Sequence, residues 1–122
     1  MAGVNNRLAL LVRTGPCRSR ESRAEADLAL AALSLDFDVE VYFTGDSIMQ
    51  LAQDKSGAGA GLPAGYKAWS ALPELGSVQV FAESGWLNRC QRLGIGLILP
   101  VEGLGFAGMK QRWRRCDHVV VL

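Results

Sequence analysis

The stretch Leu8-Ala9-Leu10-Leu11-Val12, followed by Arg13 and the turn Thr14-Gly15-Pro16-Cys17, decides the fold of this chain. Its five consecutive apolar residues predict a strand that is covered on both faces. The Gly-Pro pair predicts a tight turn after that strand. An Ala/Leu-rich pattern from Arg20 to Leu33 then predicts a helix. Strand, turn and helix in this order are typical of the start of a parallel α/β sheet.

Four more short apolar runs follow along the chain: Val39–Phe43, Val78–Phe81, Ile95–Leu99 and His118–Leu122. Helical patterns separate them, opening at Asp46 or Ser47 and then covering Ala64–Leu72, Gly85–Leu93 and Phe106–Arg115. This alternation predicts a three-layer α/β/α sandwich around a five-stranded parallel sheet. In the helix Arg20–Leu33, helical spacing directs Ala24, Leu28 and Ala31 to the core and leaves Arg20, Arg23 and Asp27 in water.

Length and composition exclude several classes of protein. The 122 residues fit a single domain, 1–122, with a flexible Gly/Ala loop expected at about 54–63. Thirteen basic and twelve acidic residues give a net charge of +1, which gives no general case for binding nucleic acid or membranes. No apolar run reaches the length of a membrane span, and the N-terminus does not resemble a signal peptide. A cytoplasmic protein is therefore expected.

Three cysteines, Cys17, Cys90 and Cys116, are the main candidates for chemistry. They are scattered, and His118 is the only histidine, so neither a disulfide framework nor a metal site is expected, and no cofactor is indicated. Cys17 follows Pro16, is flanked by Arg18 and Arg20, and comes just before a helix N-terminus. The positive charges and the helix N-terminus both favour the thiolate, so Cys17 is the candidate reactive thiol.

Polar residues also follow each of the first three predicted strands. They are Thr14 and Gly15 after the first, Gly45 and Asp46 after the second, and Glu83 and Ser84 after the third. Because the carboxyl ends of parallel strands meet at one edge, these residues are expected to line a crevice there. The simpler alternative is that Asp46 or Ser47 only caps a helix. None of the Gly turns matches a phosphate-binding loop.

The first strand with its Thr-Gly-Pro-Cys turn, the helix Glu21–Leu33 and the run Val39–Leu51 also resemble a known family, as do Tyr66–Trp69, Leu75–Ser84 and Cys116–Leu122. The chain is similar to the DsrE/DsrF-like sulfur-relay proteins, and most similar to their TusC/DsrF subunit. The resemblance implies a cytoplasmic protein that handles sulfane sulfur from a persulfide donor protein, for 2-thiouridine formation in tRNA or for sulfur oxidation. It also implies an oligomer, commonly a hexamer, with related DsrE/DsrH-like subunits or with itself.

One departure from the family pattern bears on the role of the chain. In the sulfur-carrying subunit the reactive cysteine follows the third strand, where this chain has Glu83 and Ser84. The resemblance therefore implies a partner subunit, at most a component of a sulfurtransferase. The family pattern assigns no role to Cys17, which is the candidate persulfide carrier because of its neighbours in the sequence. The alternatives are a non-catalytic scaffold with Trp69, Trp86 or Trp113 in a contact patch, and a domain that binds a small anion or nucleotide near Gly15, Gly45 and Ser84.

Overall fold

The structure is a computed structural model that describes residues 6–13, 15, 19–53, 66–76 and 78–122. Its elements in chain order are β1 (Arg7–Val12), α1 (Ser19–Ser34), β2 (Asp38–Phe43), a 3-10 helix (Gly45–Leu51), α2 (Tyr66–Leu75), β3 (Val78–Glu83), α3 (Ser84–Arg92), β4 (Glu102–Leu104), α4 (Phe106–Trp113) and β5 (His118–Val121). The predicted loop at 54–63, and the candidate residues Thr14 and Cys17, lie outside the described residues.

The five strands form one parallel sheet in the order β4-β3-β2-β1-β5. At its centre, Leu10 of β1 is level with Val41 of β2 and with Val120 of β5. Val41 is in turn level with Val80 of β3. The predicted five-stranded parallel sheet is therefore confirmed, and its three inner strands, β1, β2 and β3, are covered on both faces.

The two faces of the sheet carry unequal layers. On the first face, the core joins β1, β2 and β3 to α1, α2, α3 and the 3-10 helix, and its fully buried large side chains include Leu10, Phe43, Ile48, Trp69 and Leu72. On the second face a smaller core consists of Ala9, Leu11, Tyr42, Phe81 and Met109. Met109 belongs to α4, the one described helix that packs there, because α4 returns the chain from β4 to β5 across the whole sheet.

The fourth strand is not where the sequence predicted it. Ile95–Leu99 was predicted as the strand, whereas β4 is Glu102–Leu104. Instead, Ile98 donates its N–H to the Leu51 carbonyl at 2.8 Å, and Leu97 forms an isolated antiparallel bridge with Ala52. The apolar side chains of this segment belong to the first-face core and pack beside the 3-10 helix. Apolar composition thus marked a buried segment but not a strand.

The buried face of α1 also differs from the prediction. Ala24, Leu28 and Ala31 were expected to face the core, but all three are exposed. The helix buries Ala26, Ala29, Ala32 and Leu33 instead. In a helix so rich in Ala and Leu, apolar residues lie on every side, so their spacing does not single out one stripe. The exposed positions of Arg23 and Asp27 agree with the prediction.

Two helices in the middle of the chain follow the predicted pattern with local changes. The pattern that opens at Asp46 or Ser47 forms the 3-10 helix, and α2 continues through Pro73 to Leu75. Because proline has no N–H, α2 continues past Pro73 without the hydrogen bond that this residue would otherwise donate to the carbonyl four residues earlier. No helix in the described part of the chain is both long and apolar enough to cross a membrane.

Trp69 offers a direct test of the first-face core. Its ring is fully buried, packs edge-on against Phe43 at 5.1 Å between ring centroids, and donates its Nε1 proton to the Gln50 side chain at 3.0 Å. Trp69→Ala should lower the free energy of unfolding by about 3–5 kcal/mol in urea titrations, because it leaves a large cavity. The matched control, Leu75→Ala, truncates a half-exposed side chain of the same helix and should change it by less than about 0.5 kcal/mol. Equal effects of the two substitutions would contradict this packing.

Candidate functional site

The carboxyl edge of the sheet brings together the ends of three adjacent strands. β1 ends at Val12, β2 ends at Phe43, and β3 ends at Glu83. Val12 is level with Phe43, and Phe43 is level with Ala82, so the residues after these positions start at the same height. Ligands of open α/β sheets bind at this edge, and we call it the carboxyl edge below.

The carbonyl of Val12 holds the ends of β1 and β2 together. It accepts the Thr44 N–H at 2.9 Å and the Thr44 hydroxyl at 3.1 Å. The buried Ser47 hydroxyl lies 2.9 Å from the same carbonyl and 2.7 Å from the carbonyl of Thr44, and donates its proton to one or the other. The hydroxyl groups of Thr44 and Ser47 therefore hydrogen-bond backbone carbonyls at the ends of β1 and β2. Thr44, rather than Asp46 or Ser47, occupies the capping position of the 3-10 helix, without a side-chain capping bond to the described residues.

A second contact joins β2 to β3 at this edge. Gly45 has a φ of +59°, in the left-handed region that favours glycine. This backbone geometry accompanies a hydrogen bond from its N–H to the carboxylate of Glu83, the last residue of β3. Glu83 thus binds the backbone of the neighbouring turn. The sequence predicted that Glu83 lines the crevice at this edge, but not that it binds this backbone N–H.

The turn after β1 meets the turn after β2. A Cβ atom placed on Gly15 would lie 3.6 Å from one carboxylate oxygen of Asp46, so the Gly15 backbone and the exposed Asp46 side chain are direct neighbours. Together with the Gly45–Glu83 contact, this places described residues from the turns after the first three strands at one edge. Gly15, Gly45, Asp46, Glu83 and Ser84 are all placed there, although what they bind stays a prediction.

Sequence reasoning missed a fourth contribution to the carboxyl edge. β4 ends at Leu104 and leads through Gly105 into α4 on the second face, whereas β3 leads into α3 on the first face. Adjacent strands whose helices leave toward opposite faces open a crevice between them. Gly103 fits closely here, because a Cβ atom on it would lie 3.1 Å from Leu87 and 3.4 Å from Ser84. Gly103 and Gly105 were the signal in the sequence for this turn. The prediction missed them because it placed the fourth strand at Ile95–Leu99.

Two cysteines lie within the described residues, and neither faces the carboxyl edge. Cys90 is 2% exposed on α3 and has the Met49 sulfur 3.9 Å away, and burial raises the pKa of its thiol. Cys116 lies between α4 and β5, toward the amino ends of the strands. Burial, with a further contribution from the Glu40 carboxylate, raises the pKa of Cys116 to about 11. Both thiols are therefore protonated at neutral pH and are poor nucleophiles.

A buried polar cluster surrounds Cys116 on the second face. The Tyr42 hydroxyl donates to Glu40 at 2.5 Å, and Arg112 of α4 contacts Glu40 at 3.3 Å and the Tyr42 oxygen at 3.2 Å. Burial and the Glu40 bond raise the pKa of Tyr42 far above its ordinary value. Arg112 also donates to Gln79 at 2.8 Å, beside an open cleft of about 420 Å³. Paired charges satisfy one another in this cluster, so it joins α4 to β2 and β3.

Among the residues that the structure describes, no three His, Cys, Asp or Glu side chains come together as a metal site would require.

These features define a class of protein: a small parallel α/β domain with its candidate site at the carboxyl edge and no reactive cysteine directly after β3. The chain belongs to the DsrE/DsrF-like family, whose model matches residues 6–122. Among solved structures it is similar to the YchN protein from E. coli, with a TM-score of 0.71 and 17% sequence identity over 96% of this chain and 99% of that one. At that identity the likeness supports the fold alone. No curated protein sequence matches the chain significantly.

Gly45 and Gly85 together test the geometry of the carboxyl edge. Open space surrounds the Cβ position of both, so they differ mainly in backbone conformation, which is left-handed at Gly45 and helical at Gly85. Gly45→Ala should lower the free energy of unfolding by about 1 kcal/mol. Gly85→Ala should raise it by up to about 1 kcal/mol, because alanine favours the helix. Urea titrations of both variants would measure this, and a neutral Gly45→Ala would argue against the left-handed turn.

Proposed function

We propose that this chain is a TusC/DsrF-like subunit of a cytoplasmic sulfur relay. In this role it supports the transfer of persulfide sulfur, either toward 2-thiouridine formation in tRNA or in sulfur oxidation. Its partners are related DsrE/DsrH-like subunits or further copies of itself, in an oligomer such as a hexamer, together with a persulfide donor protein. Membership of the DsrE/DsrF-like family carries the proposal, since sulfur relay is the role that this family implies.

The transfer step sets clear chemical requirements. The thiolate of the acceptor attacks the outer sulfur of the donor's persulfide, a new S–S bond forms, and the old S–S bond breaks. Its electron pair leaves with the donor's inner sulfur, so the donor regains a thiolate and the acceptor becomes the persulfide. No external oxidant or reductant is needed. The acceptor must have an exposed thiol of low pKa and a surface that the donor can approach.

The carboxyl edge explains why the chain is proposed as a supporting subunit. Glu83 and Ser84 occupy the position that follows β3, and the Glu83 carboxylate is held in place by the Gly45 N–H. Neither residue carries a thiol, so this chain has no sulfur acceptor at the position that the family's sulfur-carrying subunit uses. We therefore expect the main sulfur-carrying cysteine to belong to another subunit.

Cys17 is the proposed accessory thiol. It follows Gly15 by two residues, and the Gly15 backbone lies beside Asp46 at the carboxyl edge. Cys90 and Cys116 are disfavoured by burial and by raised thiol pKa values. Arg18 next to Cys17 in the sequence supports a thiolate by its positive charge.

A non-catalytic scaffold of the same fold is the second candidate. The observation that favours it is the absence of a reactive thiol among the described residues of the carboxyl edge. Its expected contact patch loses one member, because Trp69 is fully buried, while Trp86 and Trp113 are partly exposed. The third candidate, a small-anion or nucleotide site, is less favoured because Asp46 and Glu83 place carboxylates at that edge.

The test is sulfur loading followed by peptide mass spectrometry. The reduced chain is incubated with a cysteine desulfurase and L-cysteine, and each cysteine peptide is examined for the added mass of one sulfur atom, about 32 Da. The proposal predicts that sulfur appears on Cys17 and is absent from Cys90 and Cys116. Cys17→Ser should abolish the loading, while Cys90→Ala is the matched control and should leave it unchanged.

Each other outcome has a distinct meaning. If no cysteine carries sulfur, the carrier role of Cys17 is overturned and the non-catalytic scaffold becomes the favoured function. Sulfur on Cys116 would contradict the assignment of that thiol as protonated and unreactive.

A further inference from the structure

Within the described part of the chain, no strand pairs with the outer edge of β5, whose sequence is unusually apolar. β5 is the last strand in the sheet order, and Val119, Val120 and Val121 are 44%, 37% and 55% exposed. The opposite edge strand, β4, has three residues and includes Glu102 and Gly103. Edge strands are normally protected by charge, proline, a bulge or short length. The run Val119–Val121 contains no charged residue and no proline.

The hydrogen bonds of β1 show which peptide groups of β5 are free to pair. Leu122 donates its N–H to the carbonyl of Leu11, so at this height the even-numbered peptide groups face β1. Since successive residues of a strand alternate in direction, the N–H and C=O groups of Val119 and Val121 point away from the sheet. The side chains of these two residues lie on the second face, level with Ala9 and Leu11.

We infer that β5 pairs antiparallel with β5 of a second copy of this chain, about a two-fold axis at Val120. In this register, Val119 of each copy lies opposite Val121 of the other, and each pair exchanges both N–H···O=C bonds. The Val120 residues face each other at the axis as a pair without hydrogen bonds. The side chains of Val119 and Val121 from both copies then form one apolar stripe on the second face of a continuous sheet.

The charges at the two ends of β5 favour a second copy over another occupant. Arg13 lies beside the carboxyl end of β5, where its Nε donates to the Leu122 carbonyl at 3.2 Å. Asp117 lies at the amino end, with an exposed carboxylate that accepts the Arg7 N–H at 2.8 Å. Antiparallel pairing brings the carboxyl end of one strand to the amino end of the other. Each Arg13 thereby approaches Asp117 of the second copy, twice by symmetry.

The small size of this contact determines how the dimer behaves. A four-residue strand pair buries less than the roughly 1,200–2,000 Å² of stable interfaces. The dimer is therefore reversible and depends on protein concentration. Because the strands run antiparallel, the two carboxyl edges lie at opposite ends of the joined sheet, and both stay open. This inference concerns the β5 edge and does not depend on sulfur chemistry.

Sedimentation equilibrium of the full chain against Val121→Lys tests the inference. The parent should show a monomer–dimer equilibrium, and Val121→Lys should raise its dissociation constant at least about tenfold, because lysine on an edge strand opposes pairing. The matched control is Leu93→Lys, which alters a side chain that is 68% exposed at the end of α3 and should leave the equilibrium unchanged. A parent that stays monomeric, or an oligomer unaffected by Val121→Lys, would overturn the inference.

Charge exchange and cross-linking provide tests that do not depend on Val121. Arg13→Glu and Asp117→Lys should each weaken the dimer, and the double variant should restore part of the loss, with circular dichroism confirming the fold. Val120→Cys should form a disulfide-linked dimer on mild oxidation, beyond the parent under the same conditions, because the axis brings the two residues close together. Leu93→Cys is the control for random collision. Cross-linking no greater in Val120→Cys than in Leu93→Cys would also overturn the register.

Discussion

The carbonyl of Val12 is the point on which the carboxyl edge depends. It is the last carbonyl of β1, and it receives the Thr44 N–H, the Thr44 hydroxyl and a shared proton from Ser47. These bonds fix where β2 ends and where the 3-10 helix begins. The turn at Gly45 can then reach Glu83 on the next strand. A buried carbonyl without these donors would cost about 1–3 kcal/mol, so the arrangement is also a requirement of stability.

The same sheet separates reactive positions from packing positions. At the carboxyl edge, turns and helix starts leave polar groups facing outward, as open α/β sheets do. On the second face, Glu40, Tyr42 and Arg112 pair with one another and hold α4 against the sheet. The Cys116 thiol belongs to this second region and is kept protonated by burial and by Glu40. The location of each cysteine in the fold therefore decides whether it is a candidate for sulfur chemistry.

Sequence patterns predicted the sheet and the ends of the first two strands because these depend on local features, whereas β3 extends two residues beyond the predicted Phe81. Continuous apolar runs such as Leu8–Val12 and Val39–Phe43 fit a strand buried on both faces, and Gly15 and Gly45 mark the turns that follow. The fourth strand was mispredicted because Ile95–Leu99 is buried for another reason, its packing beside the 3-10 helix. The true strand has three residues, one of them glycine, and owes its pairing to β3. The Glu40–Arg112 pair joins residues distant in sequence, which no local pattern reveals.

We propose that the carboxyl edge is a sulfur-relay site in which this chain lacks the carrier thiol after β3. Ser84→Cys in a Cys17→Ser background tests it most directly, because it installs a thiol at the start of α3 while leaving the Glu83–Gly45 bond in place. A helix N-terminus lowers a thiol pKa. After incubation with a cysteine desulfurase and L-cysteine, we expect sulfur on the new cysteine at position 84 and none in the Cys17→Ser parent. A folded variant whose new thiol reacts with iodoacetamide but takes up no sulfur would contradict the claim.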